Sequence, residues 1–389
     1  MGRSFLVVID GLGIGAQEDA ADYGDEDSDT LGHVSEITGL KLPNFERLGL
    51  GNIKDLASVE PCAAPNASFG KMREVSAGKD STTGHWELAG VKLDKPFPTY
   101  PSGFPADVIK KFCELTNTDD ALCNLPYSGT DVIRDYGEEH IESGNAIVYT
   151  SADSVFQVAC HTDVVPLDLL YEWCERTRNE ICVDEHAVGR VIARPFEGTP
   201  GSFTRISDKR HDFSLDVPEP NLMSELHKAG VGTYSIGKII DLFPGAPFTQ
   251  FRRTKSNAEG ISQLLSLMSA NIDDSFTFVN LIDTDQIYGH RQDTEGYAGA
   301  LEEIDRALPA ILDKLNSGDL LILTGDHGND PADNSTDHTR EFVPLLACIK
   351  GERGSDLGTR RTFSDAAAAI ADYHDLDSDF NANSFLTNV

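Results

Sequence analysis

The feature that most constrains the fold of this chain is a set of short apolar runs. They are continuous rather than alternating and are rich in Val, Ile and Leu, which is typical of strands buried on both faces of a parallel sheet. Helical patterns lie between several of them, for example at 258–270 and 295–315. This alternation predicts an α/β fold with a mostly parallel sheet flanked by helices. The five runs are FLVVI (5–9), AIVYT (146–150), GTYSI (232–236), FTFVNLI (276–282) and LLILT (320–324).

Two proline-rich stretches divide the chain. DKPFPTYPSGFP covers residues 94–105, and DVPEPN covers residues 216–221. Proline stiffens the backbone and removes a hydrogen-bond donor, so both stretches are predicted to be hinges or linkers. The interval between them, about 120 residues, is a plausible domain size. We therefore predict one core domain built from residues 1–98 and 218–389, with residues 99–217 inserted into it as an α+β cap domain.

Acidic residues and histidines follow three of the predicted strands. The first strand is followed directly by Asp10, and the last two lead into five further candidates: Asp283, Asp285, His290, Asp326 and His327. Because ligands of open α/β sheets bind at the carboxyl ends of the strands, we expect these side chains to converge on one edge of the sheet. The fragment STDHTREF adds His338 to the set.

This combination of side chains predicts a metal centre. Carboxylate and imidazole ligands together suit Zn, Mn or Fe better than calcium. Six or so ligands are too many for one catalytic ion with open positions, but they suit two ions about 3.5–4 Å apart, the arrangement used in phosphoryl transfer. The residues alone leave open whether Asp283 or Asp285 is the ligand.

The stretch GKDSTTGHWEL, residues 78–88, places three consecutive hydroxyl residues directly after Asp80. A serine or threonine hydroxyl is a weak nucleophile at neutral pH, but a metal ion bound to its oxygen lowers its pKa. A helix is predicted to begin near Thr82, and its positive amino end would favour an incoming phosphate. Ser81 is therefore the candidate phosphoryl acceptor, with Thr82 or Thr83 next. The structural alternative is that Ser81 only caps the helix.

Charge and cysteine content narrow the class of function. The chain has 64 acidic and 32 basic residues, and a net charge of −32 argues against nucleic acid and anionic membranes as partners. No run approaches the ~18–20 apolar residues that a membrane span requires. The seven cysteines are odd in number and contain no Cys-x-x-Cys pair. We therefore predict a cytoplasmic protein with reduced thiols that acts on small molecules, with no obligate protein partner evident.

A dinucleotide-binding oxidoreductase is the main alternative from another class of function. The segment DGLGIGA follows a predicted strand and formally matches the dinucleotide fingerprint with Gly11, Gly13 and Ala16. That fingerprint needs a helix and a second strand that ends in an acid about 20 residues later. The polar sequence QEDAADYGDEDSD follows instead, with no apolar strand, and this disfavours the alternative.

Taken together, the motifs resemble those of the phosphopentomutases of the alkaline phosphatase superfamily, and the resemblance runs nearly end to end. The superfamily shares the metal motifs, whereas GKD-hydroxyl-x-TGHWE, TSADS and GRVIARP are more specific to the phosphopentomutases. The resemblance implies an alkaline-phosphatase-like core with an inserted cap. The matching segments are VVIDGLGIG, DSDTLGH, LPNFERLGLGNI, GKDSTTGHWELAG, IVYTSADSVFQ, VGRVIARPF, RHDF, IGKIIDLF, YGHRQD, DHGNDP and TDHTREFVPLL.

The resemblance also implies two manganese ions and a ligand set for each. One ion would be held by Asp285, His290 and His338. The other would be held by Asp10, Asp326 and His327. The family's ligand lies five residues before the histidine, which favours Asp285 over Asp283, and the phosphorylated residue would touch both ions. The family's usual acceptor is the threonine directly after GKD, a position that Ser81 occupies in this chain.

Substrate contacts and a reaction follow from the same resemblance. The implied contacts are Ser151, Asp153, Arg190 and His211 in the inserted segment and Lys238 in the core. The implied reaction interconverts ribose 1-phosphate and ribose 5-phosphate, and the 2-deoxyribose pair, through phosphorylated Ser81 and a bisphosphate intermediate. A sugar bisphosphate is the implied activator. A metal-dependent phosphomonoesterase on the same core is the first rival, and cofactor-independent phosphoglycerate mutase, which GKDSTTGHWE and TSADS fit poorly, is the second.

Overall fold

The computed structural model of the protein describes residues 2–151, 154–270 and 272–386. The strands of these residues are β1 (Arg3–Ile9), β2 (Ser68–Met72), β3 (Leu122–Pro126), β4 (Ile147–Thr150), β5 (Val155–His161), β6 (Arg190–Glu197), β7 (Thr204–Arg205), β8 (His211–Ser214), β9 (Gly232–Ile236), β10 (Gln250–Arg252), β11 (Ser275–Leu281), β12 (Leu320–Thr324), β13 (Val343–Ile349) and β14 (Asp356–Arg360). The α-helices are α1 (Thr30–Thr38), α2 (Pro43–Leu48), α3 (Ser81–Leu88), α4 (Ala106–Thr116), α5 (Asp131–Ser143), α6 (Leu167–Arg176), α7 (Leu222–Lys228), α8 (Ile239–Leu242), α9 (Asn257–Met268), α10 (Thr294–Lys314) and α11 (Ser364–Tyr373).

The chain forms two compact units, and the second interrupts the first in the sequence. The first unit consists of Met1–Lys95 and Asp216–Val389, and the second consists of Pro96–Leu215. These boundaries lie close to the two proline-rich stretches from which the domain division is predicted. The role of the second unit as a cap stays a prediction.

The first unit contains an eight-stranded sheet in the order β10-β9-β11-β1-β12-β13-β2-β14. At its centre β1 lies parallel to both β11 and β12, with Val7 opposite Val279 and Leu323. All seven residues of β1 are buried, which explains why the run from Phe5 to Ile9 is continuously apolar. The strand β13 runs antiparallel to both of its neighbours. The predicted α/β class with a mostly parallel sheet is therefore confirmed.

The helices α1, α9 and α10 pack on this sheet through apolar residues. Phe5, Val7 and Ile9 lie on one face of β1 and share a core cluster with apolar residues of α1, α9 and α10. The helix α10 begins after Asp293, whose side chain accepts a hydrogen bond from the backbone N–H of Gly296. Both helical patterns predicted between strands, at 258–270 and 295–315, are present as α9 and α10 with ends shifted by one or two residues.

The second unit has its own mixed sheet in the order β3-β4-β5-β6-β7, and β8 pairs with β6. The predicted run AIVYT forms β4 in this sheet, where it is parallel to β3 and antiparallel to β5. Residues of α4 and α6 share one core cluster with the sheet, and residues of α5 share another. All seven cysteines are free thiols. Among the described residues, no helix is both long enough and apolar enough to cross a bilayer.

Candidate active site

The carboxyl ends of three adjacent strands bring the candidate metal ligands together. Asp10 follows β1, Asp285 lies in a short π-helical turn after β11, and the pair Asp326 and His327 follows β12. An antiparallel bridge between Gly328 and Thr339 carries His338 to the same edge. Among the described residues, two groups of three have ligand atoms that all lie within 4.8 Å of one another. They are Asp10, Asp326 and His327 in one group, and Asp285, His327 and His338 in the other.

His290 lies beside these groups without being a member of either. Its Nε2 atom is 3.5 Å from Oδ2 of Asp285, and its ring centroid is 4.8 Å from that of His338. Its Nδ1–H donates a 2.7 Å hydrogen bond to the carbonyl oxygen of Thr336, which leaves Nε2 to face the carboxylate. A backbone acceptor on the far nitrogen is the usual way to orient a metal-binding histidine. The structure groups Asp285 and His338 with His327, whereas the family resemblance implies His290 as their third partner.

Burial and hydrogen bonding show that this donor set fits a cation. Asp10, Asp326 and His327 are fully buried. Within the described part of the chain, Oδ1 of Asp10 accepts no hydrogen bond, although a buried carboxylate oxygen without a partner is costly. A bound cation would satisfy that oxygen. Carboxylate oxygens mixed with imidazole nitrogens fit manganese, zinc or iron.

The protonation states within the site are strongly uneven. Burial and, after it, the nearby carboxylate of Asp326 together raise the pKa of Asp10 to about 7. Burial acts in the same direction on Asp326, but the charges of His327 and His85 outweigh it and hold the pKa of Asp326 below its usual value. The pKa of Asp285 is likewise held well below its usual range, because hydrogen bonds from His290 and His338 outweigh burial. Asp10 is thus the carboxyl group that holds a proton most readily.

The candidate nucleophile is the first residue of α3. Asp80 is the N-cap of this helix, and its carboxylate accepts hydrogen bonds from the backbone N–H groups of Thr82 (3.0 Å) and Thr83 (3.2 Å). The helix therefore begins at Ser81, one residue earlier than predicted, and Ser81 is not its cap. The Ser81 Oγ atom is 3.1 Å from Nε2 of His327 and accepts a 3.1 Å hydrogen bond from Nζ of Lys238.

The other two hydroxyl residues of this stretch differ from Ser81 in their contacts. Thr83 is fully buried, and its hydroxyl donates a 2.5 Å hydrogen bond to the Asp80 carboxylate. That contact completes the cap of the helix. Thr82 contributes its backbone N–H to the same carboxylate. The hydroxyl of Ser81, in contrast, lies 3.1 Å from a candidate metal ligand, His327.

Two residues that the sequence reasoning does not assign support the ligands. His85 is fully buried, and its Nδ1 atom is 2.8 Å from the carbonyl oxygen of Ser81 and 3.0 Å from Oδ2 of Asp326. Asn329 donates a 2.7 Å hydrogen bond from its amide to Oδ1 of Asp285. Both lie inside motifs already quoted, TGHWE and DHGNDP. The remaining alternative ligand, Asp283, instead accepts a 2.8 Å hydrogen bond from the backbone of Asn257.

The second unit contains a polar pocket of about 320 Å³, and two of the predicted substrate residues, Ser151 and Arg190, line it. Two further arginines, Arg194 and Arg210, are also part of its wall. Arg190 and Arg194 lie four positions apart along β6 and so project from the same face of the sheet. Asp212 partly neutralises the group, since it lies 3.5 Å from Arg190 and 2.6 Å from Arg210. A pocket with three guanidinium groups suits a phosphate.

The structure does not bring His211 to this pocket. His211 lies on β8 opposite Ala193 of β6, and directly opposed residues of an antiparallel pair share one face. That face is the one opposite to Arg190 and Arg194. The His211 ring packs against Tyr171 and Phe213, with centroid separations of 5.3 Å and 4.6 Å.

The neighbouring residue Arg210, which the sequence reasoning does not assign, lines the pocket instead. Its signal in the sequence is its place as the first residue of the quoted fragment RHDF. Asp153, the remaining predicted contact in this unit, lies outside the described residues.

Comparison with known proteins identifies relatives of the whole chain. A family profile described as the metalloenzyme superfamily matches residues 2–378. The phosphopentomutase of Caldanaerobacter subterraneus subsp. tengcongensis is 49% identical over 388 residues, which cover 100% of this chain and 98% of the relative. The phosphopentomutase of Anaeromyxobacter dehalogenans has the same identity and coverage. A solved structure of a Pyrococcus horikoshii protein matches 98% of this chain and 99% of its own with a TM-score of 0.50; at 15% identity, this likeness concerns the fold alone.

Proposed function

Because the chain belongs to the metalloenzyme superfamily and, within it, to the phosphopentomutases, which are isomerases that act as intramolecular phosphotransferases, we propose that it interconverts ribose 1-phosphate and ribose 5-phosphate. The 2-deoxyribose pair is included in the proposal. The observation that carries it is the position of the Ser81 hydroxyl, 3.1 Å from His327, at the amino end of α3. A phosphoryl acceptor beside a candidate metal ligand and a helix amino end is suited to carry the transferred group.

Two divalent ions, which we propose are Mn²⁺, complete the site. Asp10, Asp326 and His327 would hold one ion, and Asp285, His338 and His290 would hold the other. Ser81 would contact both. When bound, the ions supply positive charge that stabilises the transferring phosphoryl group and lowers the pKa of the attacking hydroxyl. The unsatisfied, buried oxygen of Asp10 supports this assignment.

The residues of the chain hold Ser81 for transfer in both directions. Lys238 donates a hydrogen bond to Oγ of Ser81, and its charge offsets that of an arriving phosphate. Phosphorylated Ser81 gives its phosphoryl group to the free hydroxyl of the pentose monophosphate, and a pentose bisphosphate forms. The intermediate then reorients within the site. The phosphoryl group at its other end is transferred to Ser81, and the isomeric monophosphate leaves. An enzyme whose Ser81 is free needs a sugar bisphosphate activator to phosphorylate it.

We propose that the arginine pocket of the second unit binds the phosphate that is not being transferred. Arg190 and Arg194 would each present a guanidinium fork to it, and Arg210 would add a third. Ser151 lines the same pocket and would contact the sugar phosphate. Asp153 remains the predicted acceptor for sugar hydroxyls. The second unit would also act as a cap that excludes water, because water would otherwise hydrolyse phosphorylated Ser81.

The proposal extends to the setting in which the enzyme works. We expect a cytoplasmic enzyme whose substrates are small pentose phosphates and whose activity requires no nucleic acid, membrane or obligate protein partner. The excess of 64 acidic over 32 basic residues supports the exclusion of anionic polymers and surfaces.

A phosphorus NMR time course tests the proposed reaction against its rival, a phosphomonoesterase. The protein is incubated with Mn²⁺, ribose 1-phosphate and a trace of a sugar bisphosphate. Conversion to ribose 5-phosphate with little inorganic phosphate supports the mutase. Accumulation of inorganic phosphate without ribose 5-phosphate would contradict it and favour the phosphomonoesterase.

A further inference from the structure

A buried arginine connects the segment that leads to the candidate nucleophile with the segment that carries a candidate metal ligand. We propose that this residue, Arg340, is a positioning residue for phosphoryl transfer, and that it sets the place of Ser81 relative to His338. The inference rests on the proposed function, to which it adds a residue outside the ligand and substrate sets. Arg340 touches neither Ser81 nor His338 directly and acts through the backbone of residues 74–80.

The guanidinium group of Arg340 holds this backbone at three points. It donates hydrogen bonds to the carbonyl oxygens of Glu74 (2.9 Å), Ser76 (2.8 Å) and Gly78 (2.6 Å). Residues 74–80 join β2 to α3 and belong to neither. Carbonyl groups in such a connection do not all have the partners that a strand or helix would supply, and buried carbonyls need partners. Arg340 supplies them from one rigid, planar group. The carbonyl of Ser76 also accepts a 3.0 Å hydrogen bond from the backbone N–H of Gly78.

Two carboxyl groups and an aromatic ring lie beside the buried guanidinium group of Arg340. The side chain is 2% exposed, and its nitrogens lie 3.0 Å from Oε2 of Glu74 and 3.0 Å from Oδ2 of Asp19. Its guanidinium carbon also lies 4.9 Å from the ring centroid of Tyr23. A buried charge is tolerated only with such partners, so removal of any of them is costly.

A second connection runs parallel to the first. Asp25, which is 4% exposed, accepts a 2.8 Å hydrogen bond from the backbone N–H of Arg340. The same carboxylate accepts hydrogen bonds of 3.1 Å and 3.0 Å from Nζ of Lys79. Lys79 lies 3.6 Å from Asp337 as well, and it directly precedes the N-cap Asp80. The segments 337–340 and 78–81 are thus joined through both a side chain and a backbone contact.

This arrangement has a consequence for the rate rather than for substrate binding. The transferring group must meet Ser81 and the metal ligands in one geometry, and a displacement of about 1 Å can lower a rate by about a hundredfold. Loss of the guanidinium removes its hydrogen bonds to the carbonyls of Glu74, Ser76 and Gly78. The position of α3 relative to His338 is then less tightly held. The contacts of the Arg340 guanidinium described above are with Asp19, Glu74 and backbone carbonyls, none of which is a proposed substrate contact, so the KM for the pentose phosphate should not follow the change in kcat.

The test compares Arg340→Lys and Arg340→Ala with the control Arg360→Ala. Arg360 pairs with Asp365 at 2.8 Å and donates to the carbonyl oxygen of Asn383 at 2.9 Å, so it makes the same kinds of contact away from the site. We expect Arg340→Ala to lower kcat by about tenfold to a hundredfold with KM within about twofold. Arg340→Lys keeps the charge but not the fork, and should recover part of the loss. Arg360→Ala should keep the kcat of the unchanged protein even if its Tm falls.

Folded Arg340→Lys protein with an unchanged kcat would overturn the inference, as would equal losses of kcat in Arg340→Lys and Arg360→Ala. Hydrogen exchange gives a readout that does not depend on the reaction. With Mn²⁺ present, the amides of residues 74–80 should exchange about tenfold faster in Arg340→Lys than in the unchanged protein or in Arg360→Ala. If the unchanged protein fails to convert pentose phosphates, the proposed function is wrong, and this exchange measurement alone decides for or against the positioning role.

Discussion

Lys238 donates a hydrogen bond of 3.1 Å from its ammonium group to the hydroxyl of Ser81. The same nitrogen lies 2.5 Å from Oδ2 of Asp10. Burial opposes a charge on this amine, but the carboxylates of Asp10, Asp285 and Asp326 raise the pKa of Lys238 above its usual value. Lys238 therefore places a fixed positive charge between the candidate nucleophile and a candidate metal ligand.

This relationship predicts that Lys238→Met lowers kcat by about a hundredfold to a thousandfold, the range seen when a preorganised donor to a developing charge is removed. Steady-state kinetics with saturating Mn²⁺ measures the effect. The matched control is Lys228→Met, which removes a surface ion pair with Glu225 at 2.8 Å. Similar kcat values for both variants would contradict a role for Lys238 in the transfer.

The arginine pocket of the second unit should determine substrate affinity. Arg194→Ala removes a guanidinium from its wall, and we expect KM to rise by about tenfold to a hundredfold, because a hydrogen bond to a charged group contributes about 1.5–3 kcal/mol. Arg134→Ala is the control, since Arg134 is an exposed arginine of the same unit that pairs with Asp131 and Asp135. An unchanged KM in Arg194→Ala would show that the substrate phosphate binds elsewhere.

Metal binding should release protons and strengthen as the pH rises. In the metal-free protein, the hydrogen bond that His290 donates to the Asp285 carboxylate raises the pKa of His290 to about 9, and burial raises the pKa of Asp10 to about 7. Both groups must lose their protons to act as ligands, so the affinity for Mn²⁺ should increase through this pH range. Calorimetric titration at pH 7 in two buffers of different ionisation enthalpy measures the released protons. Identical heats in both buffers would contradict the expected ligand set.

A histidine far from the site should make the fold sensitive to acid. His374 is fully buried, its Nε2 atom is 2.7 Å from Oγ of Ser4, and burial lowers its pKa from 6.5 to about 4. Between these two pH values the unfolded chain binds a proton that the folded chain does not. The stabilisation is therefore complete above pH 6.5 and falls as the pH is lowered towards 4, by roughly 3 kcal/mol at most.

Urea unfolding at pH 7.5 and pH 5 checks this expectation. The free energy of unfolding of the unchanged protein should fall more steeply than that of His374→Gln, which cannot titrate. Equal pH dependence of the two proteins would assign the acid sensitivity to other groups.

The sequence predicts the strands of the first unit and the convergence of Asp10, Asp326 and His327 because both follow from local rules. A continuous apolar run indicates a strand buried on two faces, and residues after neighbouring parallel strands meet at one edge. Individual side-chain contacts do not follow from such rules. Arg210 rather than His211 lines the pocket because of the register of β8 with β6. The four residues of RHDF do not encode that register by themselves.

Arg340 illustrates the same limit. It lies in the polar fragment TDHTREF, where an arginine is expected at the surface, because arginine is seldom buried without partners. Its partners Asp19, Glu74 and the carbonyls of residues 74–78 come from more than 260 positions earlier in the chain, as the separation of 262 residues from Gly78 shows. No local pattern predicts contacts over that distance, so the structure is needed to find them. The N-cap of α3, in contrast, is a local feature. Asp80 and Ser81 are adjacent and either residue type can cap a helix, so residue type does not decide between them.

The most direct test of the account is to locate the transferred phosphoryl group. The protein with Mn²⁺ is mixed with a sugar bisphosphate labelled with phosphorus-32, quenched in acid during turnover and digested, and the labelled peptide is sequenced. The account predicts label on Ser81, none in Ser81→Ala, and retained label in the control Thr82→Ala. Label on Thr82 or Thr83, or full turnover by Ser81→Ala, would contradict it.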